Sequence, residues 1–289
     1  MMLRRGLDFA TRVWRATRES LGIRLADTTE GDKINMRILL SNDDGIDAPG
    51  LAILAQAAAR LSDDVWTVAP DGNRSGFGHS ITMRKSFRIE RTSLRRYHCT
   101  GTPADCVIAA MHWVFRDQDK PDLVLSGINE GRNVAEDVSY SGTMAVAREA
   151  ALCGIPGIAF SMPRDSEHYG EVETDWLAMR IADFWQHRQG WAHDGHWLSV
   201  NLPRRVPAPV QAARIGRDKC ATRVVIHTED ATSASIEPLA DRNYTTTPGD
   251  ENSLIEAGIA SVTCLNWMGH GLVPAPMLWE PGLPAAEVA

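Results

Sequence analysis

The sequence predicts an α/β fold: a Rossmann-like, mainly parallel sheet with helices on both faces, followed by a β-rich C-terminal appendage. Three observations carry this. From Met36 onward, short apolar runs of strand length alternate with stretches of helical periodicity. The connections between them are short, and repeated strand–helix–strand units imply parallel neighbours. Three of the apolar runs lead into loops rich in glycine and oxygen-bearing side chains, and open α/β sheets gather their ligands at such strand ends.

Residues 1–35 stand apart from this pattern. Arg4, Arg5, Arg12, Arg15, Arg18 and Arg24 surround Leu3, Leu7, Val13, Trp14 and Leu21 at roughly helical spacing, which suits a basic amphipathic helix for a membrane surface or a partner. The favoured reading is a dispensable extension, because Met36 stands directly before the first strand and can itself serve as a translation start.

Arg37–Ser41 reads as a strand, Pro49–Arg60 as a helix opened by its proline, and Val65–Ala69 as a second strand. Ser80–Tyr97 combines β-formers with turn residues and is expected as a hairpin excursion. Thr102–Phe115 follows as a helix with Pro103 in its first turn, then Leu123–Ser126 as a third strand. Gly142–Leu152 is a helix closed by Gly154, and Ile158–Ser161 a fourth strand. Trp176–His187 and Trp197–Asn201 add a helix and a fifth strand. The Rossmann-like core is therefore expected over residues 36–203. Beyond it Pro207, Pro209, Pro248, Pro274 and Pro276 interrupt the periodicity. Val224–His227 and Ala260–Cys264 are expected as strands of an appendage, residues 204–289, packed on the core or on a neighbouring subunit.

The 289 residues, 44% of them hydrophobic, suffice for a substantial core. A net charge of −7 argues against general affinity for a nucleic-acid polymer, while a small phosphorylated ligand stays compatible. No apolar run approaches the roughly 18 residues of a membrane span, and no secretory apolar region precedes a cleavage site. Cys99, Cys106, Cys153, Cys220 and Cys264 are odd in number and form no Cys-x-x-Cys pair. They read as reduced core thiols of a cytoplasmic protein.

The chemistry concentrates in three loops. The first holds Asn42, Asp43, Asp44 and Gly45. Successive strand residues face opposite ways, so both carboxylates reach one ion only if the chain turns, and Gly45 permits that turn. The second, Asp71 to His79, has three glycines, the Ser75 hydroxyl and Arg74, a partner for phosphate. The third runs from Ser126 through Asn129 to Asn133, and then through Tyr140 to Ser141, Gly142 and Thr143, the start of a helix whose amides and dipole suit an anion. Two carboxylates, a hydroxyl and an amide oxygen favour one Mg²⁺ or Mn²⁺, with Ca²⁺ an alternative occupant. Metal-assisted hydrolysis of a phosphate ester is the reaction such a set suggests. Taken singly, each motif is also an ordinary turn or helix cap; their coincidence at three strand ends is what singles them out. His193 and His196 have ligand-like spacing but lack a helical His-Glu-x-x-His frame, so they are not expected to bind metal. Asp105 is expected to start its helix or to position the site loops.

Five ordered segments are specific together: residues 37–50, 68–76, 101–107, 126–133 and 140–143. On them the chain resembles the SurE family of 5′/3′-nucleotidases, strongly over about 36–203 and loosely beyond. The resemblance implies a Rossmann-like phosphatase that uses a divalent metal to dephosphorylate nucleoside monophosphates, in some members also short polyphosphate. Position by position it implies Asp43, Asp44, Ser75 and Asn129 as metal ligands. Asp43 and Asp44 would be the catalytic residues, Asp44 also as a candidate base. Ser141, Gly142 and Thr143 would lie near the phosphate, with Asn133 beside them. It also implies a homodimer or homotetramer, built partly through an exchanged C-terminal arm. The chain departs from the family in its 35-residue leader and at Thr247-Pro-Gly-Asp-Glu251. The competing reading is a non-hydrolytic nucleotide-binding or receiver-like module. A receiver needs an acceptor aspartate where this chain has Ser126-Gly127, and no Gly-x-x-x-x-Gly-Lys loop is present.

Overall fold

The computed structural model describes residues 33–164, 172–193, 195–221, 223–238 and 242–267, with the side chains of 218–221 and 242–245 excluded. Residues 1–32 of the 35-residue leader lie outside the described residues.

The core is a nine-stranded sheet. Its central strands are β1 (Arg37–Ser41), β2 (Asp64–Pro70), β4 (Arg96–Cys99), β5 (Leu123–Glu130), β6 (Gly157–Met162) and β7 (His196–Asn201), mutually parallel in the order β4-β2-β1-β5-β6-β7. At one edge β3 (Ile89–Ser93) runs antiparallel to β4, completing the expected hairpin excursion. At the other, β13 (Ala260–Asn266) runs antiparallel to β7 and carries β8 (Val210–Ala212) on its far side. The segment after residue 203 therefore divides. One part extends the sheet of the core. Another forms the two antiparallel ribbons β10–β11 (Val224–Glu229, Ala234–Pro238) and β9–β12 (Arg217–Ala221, Arg242–Thr245).

Helices cover both faces because the central strands are apolar on both sides. Helices α1 (Pro49–Leu61) and α5 (Thr174–Gln186) pack together on one face. On the other, α2 (Pro103–Ala109) and α4 (Gly142–Leu152) bury Cys106, Val107, Val146 and Ala150 against Leu39, Val68 and Val124. The short α3 (Asp137–Tyr140) leads into α4, and α6 (Glu251–Glu256) precedes β13.

Three local expectations change. The single helix expected over Thr102–Phe115 is α2 followed by a π turn, Ala110–Val114, closed by Phe115 N–H to the Ala110 carbonyl at 2.9 Å. The wider turn accompanies a fully buried Phe115 and a half-exposed Trp113. Strand β5 does not stop at Ser126 but continues through Asn129 to Glu130. Its register against β6 slips between Ser126 and Asn129, a bulge that re-aims the strand end. Finally, Cys99 and Cys106 are buried as expected of core thiols, but Cys153 and Cys264 are exposed, one at the end of α4 and one on β13 near the sheet's edge.

Candidate active site

From β1 the chain moves to β2 on one side, and β5 lies on the other, so the crevice between β1 and β5 is the topological switch point of the sheet. Asp43 and Asp44 follow β1, and Asn129 sits near the end of β5. The turn after β1 is folded by Asn42, whose amide group donates to the Gly45 carbonyl (2.8 Å) and accepts from the Gly45 N–H (3.2 Å). Gly45 has φ +108°, and a Cβ there would stand 3.1 Å from the Gly72 carbonyl carbon. The first and second loops thus meet backbone against backbone, and Arg74 N–H donates to the Asp43 carbonyl at 2.7 Å.

The buried Asp43 carboxylate faces the start of α4. Its Oδ2 accepts from Gly142 N–H at 3.1 Å, and its Oδ1 accepts from the Thr143 hydroxyl. That hydroxyl lies 3.2 Å from Asn129 Oδ1. Asn129 is oriented by its own amide nitrogen, which donates to the Gly131 carbonyl at 2.7 Å and so turns the oxygen toward the cluster. Asp44 Oδ2 accepts from Glu130 N–H at 3.2 Å. Gly142 makes the approach possible: a Cβ there would lie 2.6 Å from Asp43 Cβ and 2.8 Å from Pro103 Cγ.

Burial pushes the Asp43 carboxyl up from 3.8 to about 6, against the Thr143 hydrogen bond and with a further push from the Asp44 charge. Asp44 is raised as well, again chiefly by burial. Among the described residues no lysine or arginine forms an ion pair with Asp43. Two adjacent acids, Asp43 buried and without an ion-pair partner among the described residues and Asp44 half-buried, beside an amide oxygen held in one orientation, form a donor set of the kind hard divalent cations take. The residues present fit such an ion.

The other expected site residues are placed differently. Ser75 is exposed, its amide donating to Asn73 Oδ1 at 2.8 Å, on the loop that Arg74 ties to Asp43. Ser141 caps α4 by accepting from Met144 N–H at 3.1 Å. Asn133 is tied to β6 and β7: its side chain donates to Ser161 Oγ (2.8 Å), and its backbone pairs with the Asn201 amide group at 2.9 and 3.0 Å. The structure therefore gathers Asp43, Asp44, Asn129, Gly142 and Thr143 at one point, with Ser75 and Asn133 on the flanking loops.

The Survival protein SurE family model matches residues 38–222. The chain belongs to the SurE family. Among SurE relatives, the 5′-nucleotidase SurE of Paramagnetospirillum magneticum is 39% identical over 244 residues, covering 81% of this chain and 91% of that protein. The 5′-nucleotidase SurE of Azorhizobium caulinodans is 40% identical over 243 residues, covering 80% and 92%. The crystal structure of the SurE protein from Aquifex aeolicus superposes with a TM-score of 0.66 at 32% identity, covering 80% of this chain and 93% of that one. The SurE fold and the sheet described above agree.

Supporting residues escaped the sequence reading, or were read only in part. Asp105 takes the structural one of its two expected roles. It completes a capping box with Thr102, and it accepts from Thr82 N–H (3.0 Å) and the Thr82 hydroxyl (2.6 Å), fastening the segment after the second loop to α2. His79 finds a partner in Glu149 of α4, 2.7 Å away. Ser161 and Asn201, which hold Asn133, are polar residues inside buried strands; that mismatch was the available signal. The His193 and His196 rings lie 4.6 Å apart. No helix among them is long and apolar enough to cross a membrane.

Proposed function

We propose that the protein is a divalent-metal-dependent phosphomonoesterase that hydrolyses nucleoside 5′- or 3′-monophosphates to nucleoside and phosphate, with short polyphosphate as a secondary substrate. The observation that carries this reading is the buried Asp43 carboxylate held by the start of α4, beside Asp44 and Asn129, at the switch point of a SurE sheet. The 5′-nucleotidase names of the relatives support the substrate class.

In this reading Asp43, Asp44 and Asn129, joined by Ser75, hold one Mg²⁺ or Mn²⁺, which when bound supplies positive charge to polarise the phosphoryl group and to lower the pKa of water. Gly142 N–H and the Thr143 hydroxyl keep the Asp43 oxygens fixed. The positive end of the α4 dipole borders the phosphate and favours charge building up on its oxygens. Asp44, next to the ion and to the water it would orient, is the candidate to accept the proton of the attacking water. Asn133 lines the phosphate side of the flanking loop. The protein works in the cytoplasm as a homodimer or homotetramer joined partly through its C-terminal ribbons, without binding nucleic-acid polymers or membranes.

The test is phosphate release from a panel of nucleoside 5′- and 3′-monophosphates with Mn²⁺, Mg²⁺ or EDTA, for wild type and Asp43→Asn. Metal-dependent release that falls by at least about a thousandfold in the variant is the expected result. A folded wild-type protein that binds nucleotide and metal but releases no phosphate would instead establish the non-hydrolytic module.

A further inference from the structure

The buried Glu251, at the start of α6, touches none of the residues described above, yet its carboxylate joins two distant parts of the chain. Its Oε1 accepts from Ala135 N–H at 3.0 Å, and its Oε2 accepts from Gly216 N–H. Ala135 belongs to the loop between Asn129 and α4, two residues beyond Asn133. Gly216 immediately precedes β9 and is therefore the root of one C-terminal ribbon. The three residues pack closely: a Cβ on Gly216 would be 3.4 Å from Glu251 Oε2 and 3.7 Å from Ala135 Cβ. Ala135 has φ +52°, a left-handed conformation disfavoured for a residue with a Cβ. The loop is thus held in a shape it does not prefer, and the Glu251 carboxylate is one of its fastenings. Further contacts from α6 reinforce it, with Arg132 Nη1 donating to Asn252 Oδ1 (2.7 Å) and Glu256 Oε1 (2.5 Å). The capping aspartate Asp250 fixes α6 itself, accepting from Ser253 N–H at 2.7 Å and Thr247 N–H at 2.6 Å.

We propose that Glu251 is a positioning residue that couples the root of the C-terminal ribbon to the substrate-side loop carrying Asn133. The role rests on the phosphomonoesterase reading. A carboxylate suits it because it presents two acceptors and no donor, one for each backbone N–H. A glutamine turns an NH₂ group toward one of those N–H groups, and the clash of donors moves the side chain off both.

The experiment compares full-length wild type, Glu251→Gln and the double variant Glu251→Gln/Ala135→Gly by hydrogen-exchange mass spectrometry and by steady-state kinetics on the best nucleotide of the panel. In Glu251→Gln, exchange at both 131–136 and 214–217 is expected to rise at least about tenfold, while β1, β5 and β6 stay protected. KM for the nucleotide is expected to rise about fivefold or more, with kcat falling less than about threefold and the Mn²⁺ concentration for half-activation moving less than about twofold. Adding Ala135→Gly, which removes the left-handed strain, should recover part of the KM. Unchanged exchange in either segment, an unchanged KM, or loosening spread evenly over the sheet would each overturn the proposal. A wild type without turnover refutes the phosphomonoesterase reading and the positioning role with it, whereas the exchange data still decide whether the clamp exists.

Discussion

The two ends of strand β1 treat an aspartate in opposite ways. At its start, Arg37 donates to Asp64 at 2.7 Å and stacks over the Trp66 and Phe115 rings at 5.7 and 5.5 Å, within an aromatic group that continues to Tyr97 and Trp113. Burial raises the Asp64 carboxyl, but hydrogen bonds from Arg37 and Trp66 and the charges of Arg37 and Arg95 outweigh it and hold it below the usual value. At the strand's other end, Asp43 is more deeply buried and meets amide and hydroxyl groups but no cation among the described residues. One end is neutralised within the chain. The other is left short of positive charge, and a ligand can supply it. The fold spends its own cations where it needs stability and withholds them where it needs a site.

The most disruptive way to break this contrast is Asp43→Asn. Activity should fall by the margin given above, yet the metal-free variant should melt higher than wild type at pH 7. A carboxyl moved from 3.8 to about 6 corresponds to about 3 kcal/mol. Because the amide replaces one acceptor of the Gly142 and Thr143 bonds with a donor, a net gain of about 1–2 kcal/mol is expected. The folded-state value is raised, so the stabilising contribution of the protonated carboxyl is complete below pH 3.8 and is lost as pH rises through about 6. The advantage of the variant should therefore be small at pH 4 and full at pH 7. Mn²⁺ should shrink it by stabilising wild type selectively. A variant that melts lower at every pH, as an ordinary buried-residue lesion does, would remove the argument that this end of β1 is held at a cost.

Gly142→Ala attacks the same end through packing. The new methyl group overlaps Asp43 Cβ and Pro103 Cγ, so either α4 retreats or Asp43 turns. A loss of about a hundredfold in kcat/KM and about 1–3 kcal/mol in stability is expected, readable from kinetics and urea melts of the same sample. Retention of both would mean that the contact between α4 and Asp43 is not what shapes the site.

The contrast also explains what the sequence could reveal. The strands of the core and α4 are legible because burial on both faces leaves continuous apolar runs. Asp43 and Asp44 are legible because two charges interrupt such a run. Asn129 reads as a loop residue but lies on a strand, because a bulge of one residue has no signature beyond Gly127. Glu251 was out of reach: its acceptors serve backbone N–H groups 116 and 35 residues away, and a bond to a backbone amide leaves no mark on the identity of its partner. The ends of strands announce chemistry, while the clamps that hold their loops depend on tertiary approach.

The smallest effect belongs to the neutralised end. Asp64→Asn removes the partner of Arg37 but leaves the arginine stacked on its rings and bonded through its backbone N–H to Asp122 at 2.7 Å. The pair is partly exposed, so the cost should be only about 0.5–1 kcal/mol at neutral pH. Here the folded-state value is lowered, so the contribution is present above the ordinary carboxylate value and disappears as pH falls through the folded one. The melting difference between this variant and wild type should therefore close on acidification, the same direction in which the Asp43→Asn difference closes but with the opposite sign. Catalysis should stay within about twofold, since the substitution lies at the far end of the strand from the site. Equal pH profiles of the same sign for the two variants would show that β1 does not separate a stabilising end from a functional one.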